Sequence, residues 1–386
     1  MLATEPKGRA GENWTMNNLE VLVIGGGIGG LTAAIALRRD GHTVTVIEKD
    51  PEWSVYGVGI IQQGNVLRAM NQLGLLDDYM DAAVGFDFVA VHAPDGTQVA
   101  RVPSPRLVEG YPANVGIGRP ALHKVLGDRT IAAGAEVRLG VTAEKIHDDG
   151  EGVTVHFSDG SEGRYDIVIG ADGVYSDTRE KILPGAQKPE YTGQAVWRYN
   201  LPRPADLDAL HVYNGPTGVG LVPISEELMY MYVTTPEPGN PWYDKQGIAK
   251  VMRDKLANTA PPLQEMAADI TDDEGVVYRP LEGMMVTGPW SKGRVVLLGD
   301  AVHATTPHLG QGAGMAIEDS IVLAEELAKA DTPEEAFAAY RERRFERCRY
   351  IVESSLAICH GQIGKGPPVD NHTATAEMFE VCAQPI

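Results

Sequence analysis

The chain has 386 residues, enough at roughly 150 per domain for two or three domains around a sizeable core. With 43% hydrophobic and 22% charged residues, and no apolar run of about 18 residues or more, it reads as soluble and globular, not membrane-spanning or disordered. Lys and Arg total 33 against 53 Asp and Glu, a net charge of -20 that repels phosphate backbones and anionic lipid and excludes a general nucleic-acid binder.

Residues 1–18 are polar and lack the apolar core of a secretory signal, so they are expected to form a mobile extension, with Met16 an alternative start. The next segments read as a βαβ unit: LEVLVI is a buried strand, GGGIGG a tight turn, LTAAIALRRD a helix ending before Gly41, and TVTVIE a second strand. From Pro120 to Ala133 the spacing predicts another helix, followed by strands at EVRLG, VTVHF and DIVIGA. Residues 191–235 differ, because AVWRYNL, LHVYN, VGLVPI and LMYMYVTT are Tyr- and Val-rich runs bounded by Pro, Gly and Asn. They predict an antiparallel sheet with one face packed and the other free to line a cavity. A buried strand RVVLLGDA, a Gly-rich turn and the helix GMAIEDSIVLAEELAKA follow, with a charged helix from Pro333. Cys348, Cys359 and Cys382 form no C-x-x-C pair, so no disulfide framework or cysteine zinc site is expected, and a reducing cytoplasm fits best. No His/carboxylate metal site is expected either.

Three motifs carry chemistry, each after a buried strand. Gly25-Gly26-Gly27-Ile28-Gly29-Gly30 contains G-x-G-x-x-G between strand and helix, where backbone N–H groups and the helix N-terminus can hold a pyrophosphate. Glu48 closes the next strand, where an acid accepts hydrogen bonds from a ribose diol. These residues point to a dinucleotide and leave FAD and NAD(P) both open. The second motif is GADGVYS, with Asp172, and the third is GDAVHATTPHLGQG, with Asp300 and the N–H groups of Gly310 to Ala313 opening a helix.

In this order and at these separations, GGGIGG with Glu48, GADGVYS and GDAVHATTPHLGQG resemble the single-component FAD-dependent aromatic hydroxylases, the group A flavoprotein monooxygenases, over about residues 19–350. The resemblance implies an α/β fold: a Rossmann-like FAD-binding domain (19–85, 112–185 and 279–345) interleaved with a mostly antiparallel substrate domain (86–111 and 186–278) and a C-terminal helical segment (346–386). It implies FAD, NADH or NADPH as electron donor and O₂ as co-substrate, with a flavin C4a-hydroperoxide hydroxylating a small aromatic or N-heteroaromatic acid. By the same resemblance Gly25, Gly27 and Gly30 meet the pyrophosphate, and Glu48, followed by Lys49, the adenosine ribose. Arg119 meets the phosphate and ribityl region, Val141 the adenine through its main chain, and Asp300 the ribityl chain. Pro307 lies beside the ring at the substrate pocket, while Gly310, Gln311, Gly312 and Ala313 line the isoalloxazine edge. Asp172 resembles a residue that supports both FAD and the nicotinamide donor.

TPHLGQGAGMAIED looks most like the salicylate, 6-hydroxynicotinate and urate hydroxylase branch. Gly218 stands where urate hydroxylases use an arginine, and Ile61 where the 6-hydroxynicotinate enzymes use a histidine, which argues against those substrates. No W-x-W-x-I-P motif is present, which disfavours a halogenase. Tyr230 and Tyr232 are two apart in a predicted strand and project to one face. Tyr230 matches a tyrosine that related hydroxylases place against substrate, as hydrogen-bond partner or proton relay. Arg198 is expected to hold a carboxylate, and His211, Tyr213 and His308 are candidates for the same cavity. A monomer or homodimer is expected. An epoxidase or oxidative decarboxylase of the same flavin chemistry, and a non-catalytic flavin-binding protein, are the competing readings.

Overall fold

The computed structural model describes Met16, residues 18–215 and residues 217–386. The expected extension therefore lies outside the described residues except at Met16, which is buried in the main core, and Asn18.

The opening unit forms as its pattern dictates. Strand β1 (Glu20–Ile24) is buried beyond its first residue, helix α1 (Ile28–Arg39) follows the glycine turn, and β2 (Thr43–Glu48) pairs parallel to β1. Arg38 and Arg39 close the last turn of α1, complementing the negative end of its dipole. Burying Leu31 and Leu37 contributes roughly 1.5–3 kcal/mol each.

A six-stranded sheet runs, edge to edge, through Ser291–Lys292, Val295–Leu297, Ile167–Gly170, β1, β2 and Glu136–Leu139. Its pairings are parallel except the first. Val295–Leu297, Ile167–Gly170 and β1 are adjacent, with Ile24 opposite Gly170 and Gly170 opposite Leu297. All three motifs thus leave the carboxyl ends of neighbouring parallel strands, the edge at which open α/β sheets bind ligands.

A seven-stranded, mainly antiparallel sheet forms the second body, with Glu190–Pro202 and Leu228–Pro236 at its heart. It takes its edge strand Val277–Gly283 from across the expected boundary at 278/279 and Phe88–His92 from the earlier segment. One face packs on helices Ile248–Leu256 and Pro261–Ala267, burying Trp197, Tyr199, Leu221 and Met231. The other face meets β3 (Gly59–Gln63), whose sheet partner is Asn114–Gly118. There a Cβ on Gly59 would lie 2.2 Å from the Tyr230 ring, so only glycine lets the strand cross so close. Helix Gly312–Leu327 packs on α1, with Thr32 Oγ1 2.8 Å from Ser320 Oγ, and the 30-residue helix Pro333–Gln362 packs behind it.

Candidate active site

Gly25 has φ 110°, a conformation that favours glycine, and a Cβ on Gly30 would lie 1.9 Å from the Gly25 carbonyl oxygen. The turn is therefore closed by backbone contact. A Cβ on Gly27, at the start of α1, would meet nothing within 4 Å, which leaves room for a group in front of the helix N-terminus. Glu48 accepts hydrogen bonds from the Gly26 and Asp50 N–H groups at 2.8 and 2.9 Å, and the Val141 N–H donates to the Glu48 carbonyl. Glu48 thereby ties the glycine turn to the segment at Val141. Lys49 is exposed beside them. Trp53 Nε1 donates to the Gly26 carbonyl at 2.9 Å, and His123 Nε2 lies 3.0 Å from the same oxygen, bracing the turn from outside.

Asp172 is occupied internally. Its carboxylate accepts from the Ser176 hydroxyl, the Thr178 N–H and the Thr178 hydroxyl, capping helix Asp177–Ile182. The buried Arg179 guanidinium of that helix donates to the Ala301 carbonyl at 2.9 Å, joining the second motif to the third. Gly299 (φ 65°) turns the chain into the short helix Asp300–His303, and the Asp300 carboxylate opens into the cleft. Desolvation raises its pKa against the opposing pull of His303 and Arg119. Pro307 is exposed at the head of a single 3₁₀ turn, Gly310 is left-handed at φ 66°, and Gly312 and Ala313 open the next helix. Gln311 is fully buried and turns its side chain inward, donating to Gln63 and Asn65, so any contact it makes with a cofactor runs through its backbone.

On the substrate sheet the register puts Arg198, Asn200, Tyr230, Tyr232 and Gly220 on the face toward β3. The Tyr230 and Tyr232 rings are 6.0 Å apart, and Tyr232 lies flat over Gly220, where a Cβ would sit 2.1 Å from it. Asn200 Nδ2 donates to the Gly57 carbonyl at 2.6 Å, clasping the segment before β3. Burial raises the pKa of Tyr230, while Arg198 and Arg119 pull it down. Burial and the like charge of Arg119 lower Arg198 to about 10. Among the described residues neither arginine forms a salt bridge, although the Asp300 carboxylate acts on Arg119 from a distance, and Arg119 Nε is buried without a hydrogen bond. This is unusual in a chain of net charge -20.

Three candidates point elsewhere. His211 and Tyr213 fall on the opposite face, opposite Leu221 and Val219, because residues one apart in a strand alternate sides. There His211 Nδ1 lies 3.2 Å from His92 Nε2, and Tyr213 stacks on His92 at 4.3 Å. His308 is held by Thr306 Oγ1 at 3.0 Å and Gln362 Oε1 at 3.1 Å, turned toward the long C-terminal helix, and burial lowers it to about 4. Sequence reasoning missed Arg279, which pairs in register with Val196 on the Arg198 side and stacks on Tyr56 at 4.2 Å. Strand alternation from Arg198 would have found its face, but no local signal names Tyr56.

The residues fit FAD: an open glycine cradle at a helix N-terminus, an exposed carboxylate at Asp300 that forms no salt bridge among the described residues, and the orphaned Nε of Arg119.

Comparison with known proteins agrees. A family model described as "FAD binding domain" matches residues 18–355. The putative FAD-dependent monooxygenase YetM of Bacillus subtilis (strain 168) is 33% identical over 351 residues, covering 90% of this chain and 95% of that protein. The 3-hydroxybenzoate 6-hydroxylase of Polaromonas naphthalenivorans (strain CJ2) is 33% identical over 355 residues, covering 88% and 86%. Among solved structures, Klebsiella pneumoniae HpxO complexed with FAD and uric acid superposes with a TM-score of 0.80 at 27% identity, covering 94% of this chain and 92% of that one. The chain belongs to the FAD-binding-domain family and is a flavoprotein monooxygenase of the aromatic or heteroaromatic hydroxylase kind.

Proposed function

We propose that this enzyme uses NAD(P)H and O₂ to hydroxylate a small aromatic or N-heteroaromatic acid that already carries a ring hydroxyl. The observation that carries the reading is Arg198, which forms no salt bridge among the described residues and shares a sheet face with Tyr230, with Arg119 at the start of a neighbouring helix adding its charge. A buried cation without a counter-ion costs folding free energy, and an anionic substrate offsets that cost on binding.

The residues divide the work. Gly25, Gly27, Gly30 and Glu48 would hold the adenosine diphosphate part of FAD, and Asp300 and Arg119 the ribityl region. FAD held there would supply the chemistry that couples NAD(P)H oxidation to O₂ activation, with one oxygen atom going to the ring and the other to water. Arg198 would hold the substrate carboxylate and fix the ring's orientation. The positive field that pulls down Tyr230 acts equally on a substrate hydroxyl beside it, favouring the phenolate, which is the nucleophilic form of the ring. Tyr230, kept neutral by burial, would hydrogen-bond that oxygen and pass its proton. The close crossing of Gly59 over Tyr230 keeps water from this side of the pocket. The name of one relative, 3-hydroxybenzoate 6-hydroxylase, states a substrate of this sort.

The test is NADH and NADPH oxidation with O₂ uptake and product mass, over hydroxylated aromatic and N-heteroaromatic acids and their decarboxylated analogues. Product heavier by one oxygen is expected, with kcat/KM for the acid about tenfold or more above that for the neutral analogue. Equal rates for both would refute the acid, and turnover yielding only peroxide would refute hydroxylation of that ring.

A further inference from the structure

Behind the site lies a group of buried charges that the reaction itself does not use. Helix Gly312–Leu327 carries adjacent acids, Glu318 and Asp319, both 0% exposed. Helix Pro333–Gln362 inserts Arg344, also 0% exposed, between them. Arg344 Nε donates to Asp319 Oδ1 and a terminal nitrogen donates to Glu318 Oε2, both at 2.7 Å. His303, Asp319 and Cys348 place potential metal-ligand atoms within 4.8 Å of one another, but Arg344 already occupies Asp319 Oδ1. Arg344 is the cation that bridges the two acids, while Arg347 donates to only one of them, Glu318, at 3.3 Å to Oε1.

The second oxygen of each acid reaches toward the flavin side. Asp319 Oδ2 accepts from the Gly299 N–H at 3.1 Å and lies 2.6 Å from His303 Nε2. It thereby clamps both ends of the short helix that begins with Asp300. Glu318 Oε1 accepts from Asn65 Nδ2 at 3.1 Å. Asn65 Nδ2 also donates to Gln311 Oε1 at 3.0 Å, Gln311 Nε2 donates to Gln63 Oε1 at 2.9 Å, and Gln63 Nε2 donates to the Leu309 carbonyl at 3.1 Å. This second chain ties the Leu309–Gln311 loop to the end of β3, the strand that crosses Tyr230.

We propose that Arg344 is a positioning residue with two separable arms: through Asp319 it sets the Asp300 turn that grips the ribityl chain, and through Glu318, Asn65 and Gln311 it sets the loop at the ring edge. Its side chain reaches neither cofactor nor substrate. The planar fork matters because it fixes the angle between two carboxylates on one helix, which a lysine's point charge cannot do. The inference rests on FAD binding alone and stands apart from the identity of the aromatic substrate.

The test uses full-length holoenzyme and its deflavinated form, with three variants, read by FAD Kd, the visible spectrum and reduction potential of the bound flavin, and Tm. Asp319→Asn is expected to weaken FAD by about tenfold or more while the spectrum stays close to that of the parent, charged hydrogen bonds being the stronger kind. Asn65→Leu removes the second arm at similar volume and is expected to keep Kd within about threefold of the parent, while shifting the visible band and potential. Arg344→Lys, which retains the charge, is expected to show both effects. Parent-like Kd, spectrum and potential in all three, with only Tm lowered, would reduce the cluster to a packing device and overturn the proposal. So would identical profiles for Asp319→Asn and Asn65→Leu, since the arms would then not be separate. If Arg344→Lys does not fold, the two single-arm variants decide the question. Failure of the parent to hydroxylate any acid would count against the proposed function and leave these readouts untouched.

Discussion

Replacing Arg198 by methionine separates the cost of a functional charge from its use. Burial and Arg119 lower the Arg198 pKa from the ordinary arginine value to about 10, which at about 1.4 kcal/mol per tenfold change in proton affinity disfavours the charged form by about 3 kcal/mol. The folded pKa lies below the unfolded one, so this penalty is fully present below pH 10 and is relieved only as pH rises toward the ordinary arginine value. Across neutral pH, Arg198→Met should therefore stabilise the substrate-free holoenzyme. With an unfolding entropy of about 2.1 cal/mol/K per residue, the Tm gain is about 3 to 4 °C. The same variant should lose the charge-assisted contact with an acid substrate, lowering kcat/KM by about 10- to 100-fold, while a decarboxylated analogue is affected little. Calorimetry of the FAD-loaded protein reads the first effect, and steady-state kinetics on the acid and its neutral analogue read the second. A lower Tm would show that the guanidinium has a stabilising partner in the folded protein. An unchanged acid-to-neutral ratio would show that Arg198 is not the substrate's counter-ion.

Three other outcomes follow from the site. Tyr230→Phe should keep FAD bound and lower coupled hydroxylation by about 100-fold or more, raising the peroxide yield; unchanged turnover and pH profile would remove the hydroxyl from the mechanism. Asp300→Ala should weaken FAD about tenfold or more, a result that stoichiometric flavin through purification and a parent-like Kd would contradict. His308, lowered to about 4 by burial, stays neutral in the folded protein while the unfolded chain takes up a proton near pH 6.5, so stability falls as pH drops from 6.5 to 4. His308→Gln should flatten that fall by at most about 3 kcal/mol relative to the parent, measured by urea unfolding at both pH values, and parallel curves for the two proteins would refute the assignment.

Sequence pattern carried the fold and cofactor side far because their causes are local. The turn at Gly25 to Gly30, the acid at the end of β2 and the strand-to-turn signals at Asp172 and Asp300 are each short-range devices, and the adjacency of their three strands follows from parallel βαβ winding. Alternation also placed Tyr230 and Tyr232 on one face correctly. The same rule, applied with the register, puts His211 and Tyr213 on the other face, but that register depends on pairing Leu210–Tyr213 with Gly218–Pro223. Alternation alone sets His211 and Tyr213 on one common face, and it does not say which face of the sheet that is.

What stayed hidden is long-range. The closeness of β3 to Tyr230 spans the two bodies and depends on one missing Cβ at Gly59. The family resemblance gave Asp172 its expected role beside FAD and the nicotinamide donor, and only the folded turn shows that its oxygens also accept hydrogen bonds from Ser176 and Thr178. Arg344 sits in a run, RERRFERCR, that reads as a solvated charged face. Neighbouring Arg349 pairs with Glu346 and Glu353 in solvent as that reading expects, whereas Arg344 points inward to two carboxylates 25 and 26 residues earlier. Helical position explains the difference: at about 100° per residue, five residues carry the chain about 140° beyond one full turn, so Arg349 faces water where Arg344 faces the core. A charge run on a helix therefore divides between solvent and interior: Arg349 stays in solvent, while Arg344 and Arg347 both reach the buried Glu318, and only Arg344 bridges it to Asp319.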